Sequence, residues 1–415
     1  MTDKFFHYFI RRTHFWRSVS VSEMAELYSS RMLRVMAMQM MGGFSAVYFY
    51  QLGYSLHWLA WYFVIYFGAR VLMSPLVALT VARYGPKHGT LISNILFVLA
   101  AFVMVAIPVW GVWGFALLVP LAGFSRSLYD VCYLVDFSKV KHIEHSGKEL
   151  GIMQIIERVM TALGPILGGV VALLFGPIIM ILVAGLLMLG SAMPLFFTRE
   201  PVKIHQKITL RHFNIKIAIR PMIAQIAAGL DMNASGVMWS LFIIIVVFGS
   251  INNGSYLQLG ILSSVALFAS IVISYIYGKL VDSYKGKTLL KFSVIGDFLV
   301  YLCRPFTSTP LQVAGINVAN EVVTTGYNLP ALRGIFDTAD GLPGYRIVYI
   351  TFMMTMLVVG DTIAMLILAT LTSFMGDQDS LRNIYFIFAP LMLLIGLHTT
   401  AVYRRGILTR FIHRV

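Results

Sequence analysis

The feature that most constrains this chain is a series of long apolar segments separated by short polar breaks. Each segment holds about 20 mainly apolar residues, the length needed to cross about 30 Å of hydrocarbon. Of the 415 residues, 58% are hydrophobic and only 12% are charged. An ordinary soluble chain carries about twice that charged fraction. Hydrocarbon offers no partners for backbone polar groups, so each segment is expected to satisfy them within a helix. The sequence therefore predicts an all-α membrane protein.

Twelve candidate transmembrane spans can be placed, six on each side of a central polar loop. The first six lie near 30–52, 57–82, 90–109, 112–135, 151–175 and 177–197. The second six lie near 221–249, 256–281, 288–308, 311–332, 346–373 and 382–403. We predict two pseudo-symmetric six-helix bundles at 28–198 and 221–404, joined by a cytoplasmic linker at 199–220. A basic amphipathic segment at 1–27, expected to lie at the membrane surface, and a basic tail at 405–415 flank them.

The basic residues are distributed by alternate loops. When both termini are placed in the cytoplasm, 28 of the 32 Lys and Arg residues fall on the cytoplasmic side. Cytoplasmic loops of membrane proteins carry such an excess. A nucleic-acid-binding protein would not segregate charge in this way, so the net charge of +14 is interpreted as a topology signal. We predict a multi-pass protein of the bacterial inner (cytoplasmic) membrane with both termini cytoplasmic.

Motifs of soluble enzymes are missing from the sequence. It contains no P-loop, no G-x-S-x-G and no HExxH, the patterns that position a nucleotide, a serine nucleophile or a zinc ion. Its two cysteines, Cys132 and Cys303, lie in apolar runs and form no ligand cluster. We therefore expect no enzymatic activity, no metal and no cofactor. Transport by such a chain would have to use an ion gradient.

Matching motifs stand where the second and eighth spans end. Their residues are Arg83, Gly85 and Lys87 in the first half, and Gly278, Asp282 and Lys287 in the second. Both resemble the loop motif G-x-x-x-D-R/K-x-G-R/K-R/K of the major facilitator superfamily, although Ala78 and Ala82 replace the early Gly and Asp of the first copy. The resemblance implies the two-bundle fold of that superfamily. It also implies a cytoplasmic gate whose charges pair in only one state of the transport cycle.

The fifth span contains a second motif of the superfamily. Gly164, Pro165, Gly168 and Gly169 resemble the fifth-helix motif of its proton-coupled exporters, G-x-x-x-G-P-x-x-G-G, with Met160 in the place of the first Gly. Glycines on one face let helices approach closely, and proline weakens the helical hydrogen-bond ladder. Ordinary close packing would use the same residues.

Polar side chains inside the spans are the candidate substrate-binding and proton-coupling residues, because a charge at the bilayer centre costs about 2.5–3.5 kcal/mol on insertion scales. They are Arg70, Arg126, Asp130, Asp231, Asn233, Asn320, Glu321 and Asp361. Arg126 resembles the fourth-helix arginine that the superfamily uses in proton coupling. Our hypothesis is that Glu321 or Asp231 carries a coupling proton, since a desolvated carboxylate can retain one near neutral pH. Asp297 and Arg304 are interpreted as a structural polar contact.

The combined prediction is a monomeric secondary active transporter that moves a small solute by alternating access. Our first choice is a proton-coupled exporter, an antiporter of an apolar or amphipathic compound. One alternative is a proton-coupled symporter for uptake of a polar metabolite. Another is a carrier of a lipid or lipid-linked substrate, with Arg34 and Arg70 at an anionic head group. A membrane assembly or sensor protein is the alternative outside transport. The expected partners are the substrate, protons and the lipid bilayer, without nucleic acid.

Overall fold

The computed structural model describes residues 21–41, 44–140, 146–196, 213, 215–249, 286–342 and 344–400, with a few residues between 258 and 277. Within these ranges all regular secondary structure is helical. Seven of the described helices are long and apolar enough to cross a membrane, and Pro177–Ala192 is a shorter apolar helix. Each helix keeps below the ordinal of the predicted span that it occupies.

Helices occupy all six predicted spans of the first half. They are Val21–Met41 followed by Phe44–Gln51, then Leu56–Tyr84, Pro86–Trp110, Val112–Val140, Ser146–Phe175, and Pro177–Ala192 with a 3₁₀ turn at Met193–Phe196. The motif residues Arg83, Gly85 and Lys87 join the second helix to the third. Residues 1–20 of the predicted amphipathic segment lie outside the described residues.

In the second half, helices are described at every predicted span except the eighth. The seventh span is Ile215–Asn233, a π-helical turn at Ala234–Met238, Trp239–Phe242 and a second π-helical turn at Ile243–Phe248. The ninth to twelfth are Gly286–Cys303 with Arg304–Phe306, Pro310–Asp340, Arg346–Phe374, and Asp377–Met392 with Leu393–Thr400. Most of the eighth span, with Gly278 and Asp282, lies outside the described residues, as do most of the linker and the tail.

Several helices extend beyond their predicted spans, mostly at the predicted cytoplasmic end. The tenth helix has 31 residues, so it is about 46 Å long at 1.5 Å per residue. The first helix begins at Val21, ahead of the predicted start at 30. Apolar windows detect only the part of a helix that hydrocarbon surrounds, so they miss these amphipathic extensions.

Two Gly-Pro pairs make the tight turns between consecutive spans. Gly85 and Gly176 have φ values of 86° and 87°, a region that side chains with a Cβ rarely adopt. Pro86 and Pro177 follow them in the first turn of the next helix, where proline's missing N–H leaves no helical bond unmade.

The two halves contact each other at both ends of the bundle. The second helix packs along the eleventh. At the predicted cytoplasmic end, the rings of Phe137 and Phe336 lie 5.5 Å apart, and Arg346 Nη1 donates to the Ser138 carbonyl at 2.9 Å. At the opposite end, His57 Nδ1 lies 3.0 Å from Thr372 Oγ1. The space between the halves is thus constricted at both ends.

Within the second half, two glycines bring the seventh and eleventh helices into backbone contact. A Cβ atom added to Gly360 would collide with the Ile226 carbonyl, and one added to Gly229 would collide with the Leu357 carbonyl. Backbone atoms cannot move aside as a flexible side chain can. The contact therefore requires glycine in both places, which is a common way for helices to pack in membranes.

We predict that Gly360→Ala lowers the free energy of unfolding by about 3 kcal/mol, the upper end of typical overpacking costs. Thermal or denaturant unfolding in detergent measures the change. Gly315→Ala is the matched control, because its added Cβ would have no atom within 4 Å. Alanine in a helix interior should there add about 0.5–1 kcal/mol of stability. Equal effects of the two substitutions would contradict the close contact.

Candidate substrate cavity

A cavity of about 360 Å³ lies between the two halves. The first half supplies most of its wall from its first four helices, and the second half supplies residues of the seventh and eleventh. Aromatic and sulfur-containing side chains dominate the lining, among them Phe49, Tyr62, Tyr66, Met104 and Met232. The polar groups are few and include five of the eight candidate residues, namely Arg70, Arg126, Asp130, Asn233 and Asp361. Predominantly apolar walls with a few polar groups are typical of small-molecule sites.

The first-half wall carries two guanidinium groups and one carboxylate. Arg70 Nη2 lies 3.2 Å from Asp130 Oδ2, and Arg126 Nε lies 3.1 Å from the same oxygen. Arg70 Nε also donates to Ser127 Oγ at 3.0 Å. Gly123 makes room, because a Cβ there would be 3.2 Å from Arg70 Cγ. With all three groups ionised, this wall has one excess positive charge.

Asp361 faces the cavity from the eleventh helix of the other half. Its side chain is only 6% exposed, and it forms no ion pair with any described residue. With Asp361 ionised, the four charged groups that line the cavity sum to zero. Binding of a proton to Asp361 would leave the cavity with one positive charge.

The pair Arg158 and Glu321 joins the halves directly. Arg158 Nη1 lies 2.5 Å from Glu321 Oε2, and Arg158 Nη2 donates to Thr325 Oγ1 at 3.1 Å. It connects the fifth and tenth helices and is the cross-half ion pair within the described part of the chain. The sequence analysis counted Arg158 among the loop charges, which is wrong because its guanidinium is part of the interior.

Arg31 and Arg34 were likewise counted as topology signals, but both are interior residues of the first half. Arg31 Nη2 pairs with Glu157 Oε1 at 2.6 Å. Arg34 is 1% exposed, hydrogen-bonds Asn94 Oδ1 and donates to Ser93 Oγ at 3.0 Å. These contacts hold the first helix to the third and fifth, so the two arginines report packing rather than membrane orientation.

Asp231 and Asn320 lie in a second polar cluster, away from the cavity lining. Asp231 Oδ1 accepts hydrogen bonds from the Tyr301 hydroxyl at 2.7 Å and from Ser235 Oγ at 2.9 Å, and Oδ2 accepts one from the Tyr327 hydroxyl. Arg304 Nη2 donates to Asn320 Oδ1 at 2.6 Å and to Ser235 Oγ at 2.7 Å. This cluster joins the seventh, ninth and tenth helices. The direct contact expected between Asp297 and Arg304 does not form among the described hydrogen bonds and ion pairs.

The loop motif of the first half makes contacts inside that half. Lys87 is buried, with Nζ 4.0 Å from Glu26 Oε2 of the first helix. Arg83 is exposed, its guanidinium 5.5 Å from the Tyr84 ring, and Lys287 of the second copy is also exposed. Gly278 and Asp282 lie outside the described residues. The gate role of the motif therefore stays a prediction.

The fifth-helix motif packs the fifth helix against the first. A Cβ added to Gly164 would lie 2.6 Å from Gln39 Cβ and 3.2 Å from the Met36 carbonyl. Pro165, Gly168 and Gly169 are buried, and Pro165 lies inside the helix. Close packing thus accounts for Gly164. Gln39 in turn lines the cavity, so a movement at this contact would reach the cavity wall.

Sequence reasoning missed the partners of the charges more often than the charges. Tyr301, Tyr327 and Arg158 were not candidates, although each contacts a candidate carboxylate. Arg158 could have been found from its place inside the predicted fifth span. The tyrosines carry no such signal, because tyrosine is common in apolar helices.

A helical membrane protein whose two halves enclose a cavity with an apolar wall and a few charges has the architecture of a secondary transporter. The family model of the Major Facilitator Superfamily matches residues 27–332. The chain belongs to that superfamily of transporters, and the fold and family predicted from the sequence are confirmed.

Among individual proteins, a relative from Lactococcus lactis subsp. lactis (strain IL1403), described as a multi-drug resistance efflux pump PmrA homolog, is 27% identical over 274 residues. The match covers 60% of this chain and spans 63% of the relative's length. The human organic anion transporter MFSD10 (TETRAN) has a TM-score of 0.66 at 11% identity, over 90% of this chain and 99% of that one. A bacterial homologue of the iron transporter ferroportin, in an outward-facing state with soaked iron, has a TM-score of 0.65 at 13% identity, over 91% and 98%. The structural similarities show the shared fold.

We predict that Arg158 and Glu321 stabilise the bundle as a pair. Glu321→Arg or Arg158→Glu alone should lower the free energy of unfolding by up to about 3 kcal/mol, because each leaves like charges together in a poorly solvated place. The exchanged double variant should recover most of that loss. Unfolding in detergent measures all three variants.

The pair Arg333 and Asp337 provides the control. It lies on a single helix with 4.0 Å between Nε and Oδ2, so reversing one of its charges should cost less than about 1 kcal/mol. If the exchanged double variant of Arg158 and Glu321 is no more stable than either single variant, the direct cross-half interaction is wrong.

Proposed function

We propose that this transporter exports an amphipathic compound in exchange for protons, by alternating access of the cavity between its halves. The observation that carries the proposal is Asp361, a carboxylate without an ion pair among the described residues, set in a mainly apolar cavity. The aromatic and methionine walls suit an apolar substrate body, since such side chains adapt to many shapes. The similarity to a protein described as a multi-drug resistance efflux pump supports the direction and the substrate class.

Exchange follows if substrate and proton compete for Asp361. A hydrogen-bond-donating or cationic head group contacts the carboxylate only when the proton is absent. A proton that binds from the side with the higher proton concentration releases the substrate there, and loss of that proton to the other side restores the empty carboxylate. Coupling of this kind needs a carboxylate that is shielded from bulk water and faces each side in turn.

The contacts between the halves support alternating access. The constrictions at the two ends of the cavity use different groups, with Arg346 and Ser138 at the predicted cytoplasmic end and His57 and Thr372 at the other. Opening toward either side requires only one of these sets to separate. The pair of Arg158 and Glu321 lies between the halves and would have to break or slide during the movement. Such bistable contacts allow a transporter to occupy two states rather than a continuum.

A polar anionic solute taken up with protons is the second candidate. Arg70 and Arg126 share one carboxylate, Asp130, so the first-half wall keeps an excess positive charge that would attract an anion. A lipid-linked substrate has less support, because Arg34 is fully engaged inside the first bundle. Within the proposal the protein acts as a monomer in the inner membrane, with both termini in the cytoplasm.

We predict that Asp361→Asn abolishes transport driven by a pH gradient while substrate binding is retained. The amide preserves the shape and polarity of the side chain but cannot exchange a proton. Purified protein in liposomes, tested with a fluorescent cationic amphiphile, measures both properties. Asp379→Asn is the control, because Asp379 is exposed at the end of the twelfth helix. Full gradient-driven exchange by Asp361→Asn would contradict the proposed role.

Glu321→Gln and Asp231→Asn test the hypothesis made from the sequence in the same assay. Retention of full pH-driven transport by both variants would show that neither carries the coupling proton. If Asp361→Asn transports an anionic solute as well as the unchanged protein does, the anion alternative gains and the exporter proposal fails.

We also predict that amphipathic compounds raise the melting temperature of the detergent-purified protein, whereas sugars do not. A ligand that binds only the folded state stabilises it by about 2.7 kcal/mol at a concentration of 100 times its Kd. Ala122→Trp is the control, because Ala122 lines the cavity and an indole there would fill part of it. Stabilisation that survives in Ala122→Trp would place the ligand outside the cavity.

A further inference from the structure

A carboxylic side chain outside the cavity is buried without any hydrogen bond. Asp297 of the ninth helix is 0% exposed, and neither of its carboxylate oxygens has a hydrogen-bond partner in the described structure. Nor does it belong to any ion pair of the described residues. An ionised carboxylate in such a place would bear its full desolvation cost, which is several kcal/mol even after relaxation. Its state must therefore be explained by its surroundings.

Asp297 shares a helix face with two members of the polar cluster described above. Tyr301 and Arg304 follow it by one and two helical turns, and the three side chains are between 0% and 1% exposed. Asp231, on the seventh helix, and Arg304 lie near enough to interact electrostatically with Asp297. Two buried carboxylic groups thus share one guanidinium.

The hydrogen bonds distinguish the two carboxylic groups. Asp231 receives three hydroxyl donors, from Tyr301, Tyr327 and Ser235, and donors of this kind favour the ionised form. Asp297 receives none from the described residues. Arg304 is enclosed by the rings of Tyr301 at 4.4 Å and Trp239 at 5.2 Å, so it remains a cation with a single balancing charge at Asp231.

We propose that Asp297 is a proton-binding site of the second bundle, separate from the cavity, which holds its proton at neutral pH while Asp231 is ionised. One acid is charged, one acid is neutral, and the guanidinium balances the charged one. Loss of the proton from Asp297 would add a second negative charge to a cluster that has one cation. Ser235 belongs to this cluster and precedes Gly236, which lines the cavity. The proton therefore lies one layer behind the cavity wall.

The titratable and charged groups around Asp297 come from four helices. The seventh supplies Asp231, and the ninth supplies Tyr301 and Arg304. The tenth supplies Tyr327, while its Glu321 is directed to Arg158. The twelfth supplies Tyr385, whose ring lies 5.2 Å from the Arg304 guanidinium, and the buried His398, on a segment that packs against the ninth helix. Arg304 is the cation of this group that interacts with Asp297.

Infrared spectroscopy of the full-length protein in lipid nanodiscs tests the assignment. A protonated carboxylic acid absorbs at a carbonyl frequency that carboxylates and amides do not share. At neutral pH the difference between the unchanged protein and Asp297→Asn should contain this band, while the difference with Asp231→Asn should not. A band that is unchanged in Asp297→Asn, or that is lost in Asp231→Asn, would overturn the proposal.

Stability provides a second measurement that does not depend on the band. Asp297→Leu should melt at or above the temperature of the unchanged protein near neutral pH, because it removes only an unbonded neutral group. Asp231→Asn should melt several degrees lower, because it leaves Arg304 without its balancing charge. A loss in Asp297→Leu as large as that in Asp231→Asn would contradict a neutral Asp297.

The pH dependence has a defined sign. An unfolded chain releases the Asp297 proton above about pH 4, while the folded protein keeps it, so raising the pH disfavours the folded state. The melting temperature of the unchanged protein should therefore fall from about pH 6 to about pH 9 more steeply than that of Asp297→Leu. Identical slopes would overturn the proposal. Neither measurement requires a substrate, so the outcome is independent of the proposed exchange.

Discussion

The cost of placing a charge in a low-dielectric interior organises this bundle. A cation or anion at membrane depth is tolerated when an opposite charge or several hydrogen bonds compensate it nearby. In the first half, Asp130 compensates Arg70 and Arg126, and Glu157 compensates Arg31. Between the halves, Glu321 compensates Arg158. These pairs bring together helices that are far apart in the chain, so compensation of charge and packing of the bundle are the same requirement.

Two carboxylic side chains depart from this rule, and both point to protons. Asp361 in the cavity and Asp297 behind its wall have no ion pair among the described residues, although both are buried. A proton is the smallest compensation that such a group can accept. The two residues differ in access, because Asp361 lines the cavity and Asp297 does not. Access is what would separate a proton that exchanges with substrate from one that maintains the cluster.

The seventh helix connects these two places. Its π-helical turn at Ala234–Met238 follows Asp231 and includes Ser235 and Gly236. Turns of this kind interrupt the regular helical pattern and occur often at functional sites. Here the interruption presents Ser235 to Arg304 and Gly236 to the cavity. A movement of this segment would change the cavity lining and the polar cluster together.

The sequence by itself determined the class of protein, the helix positions in the described residues and the family. Span length and the absence of backbone partners in hydrocarbon allow few other folds, so composition and period were sufficient. It also identified most of the interior charges, because a charge in an apolar run is conspicuous. Only the tertiary structure decided how those charges pair. It placed Arg158, counted as a loop residue, opposite Glu321, and placed Arg31 and Arg34 inside the first bundle. The partners lie up to 163 positions apart in the chain, and pairing over such distances depends on helix rotation and contact, which local sequence patterns do not encode.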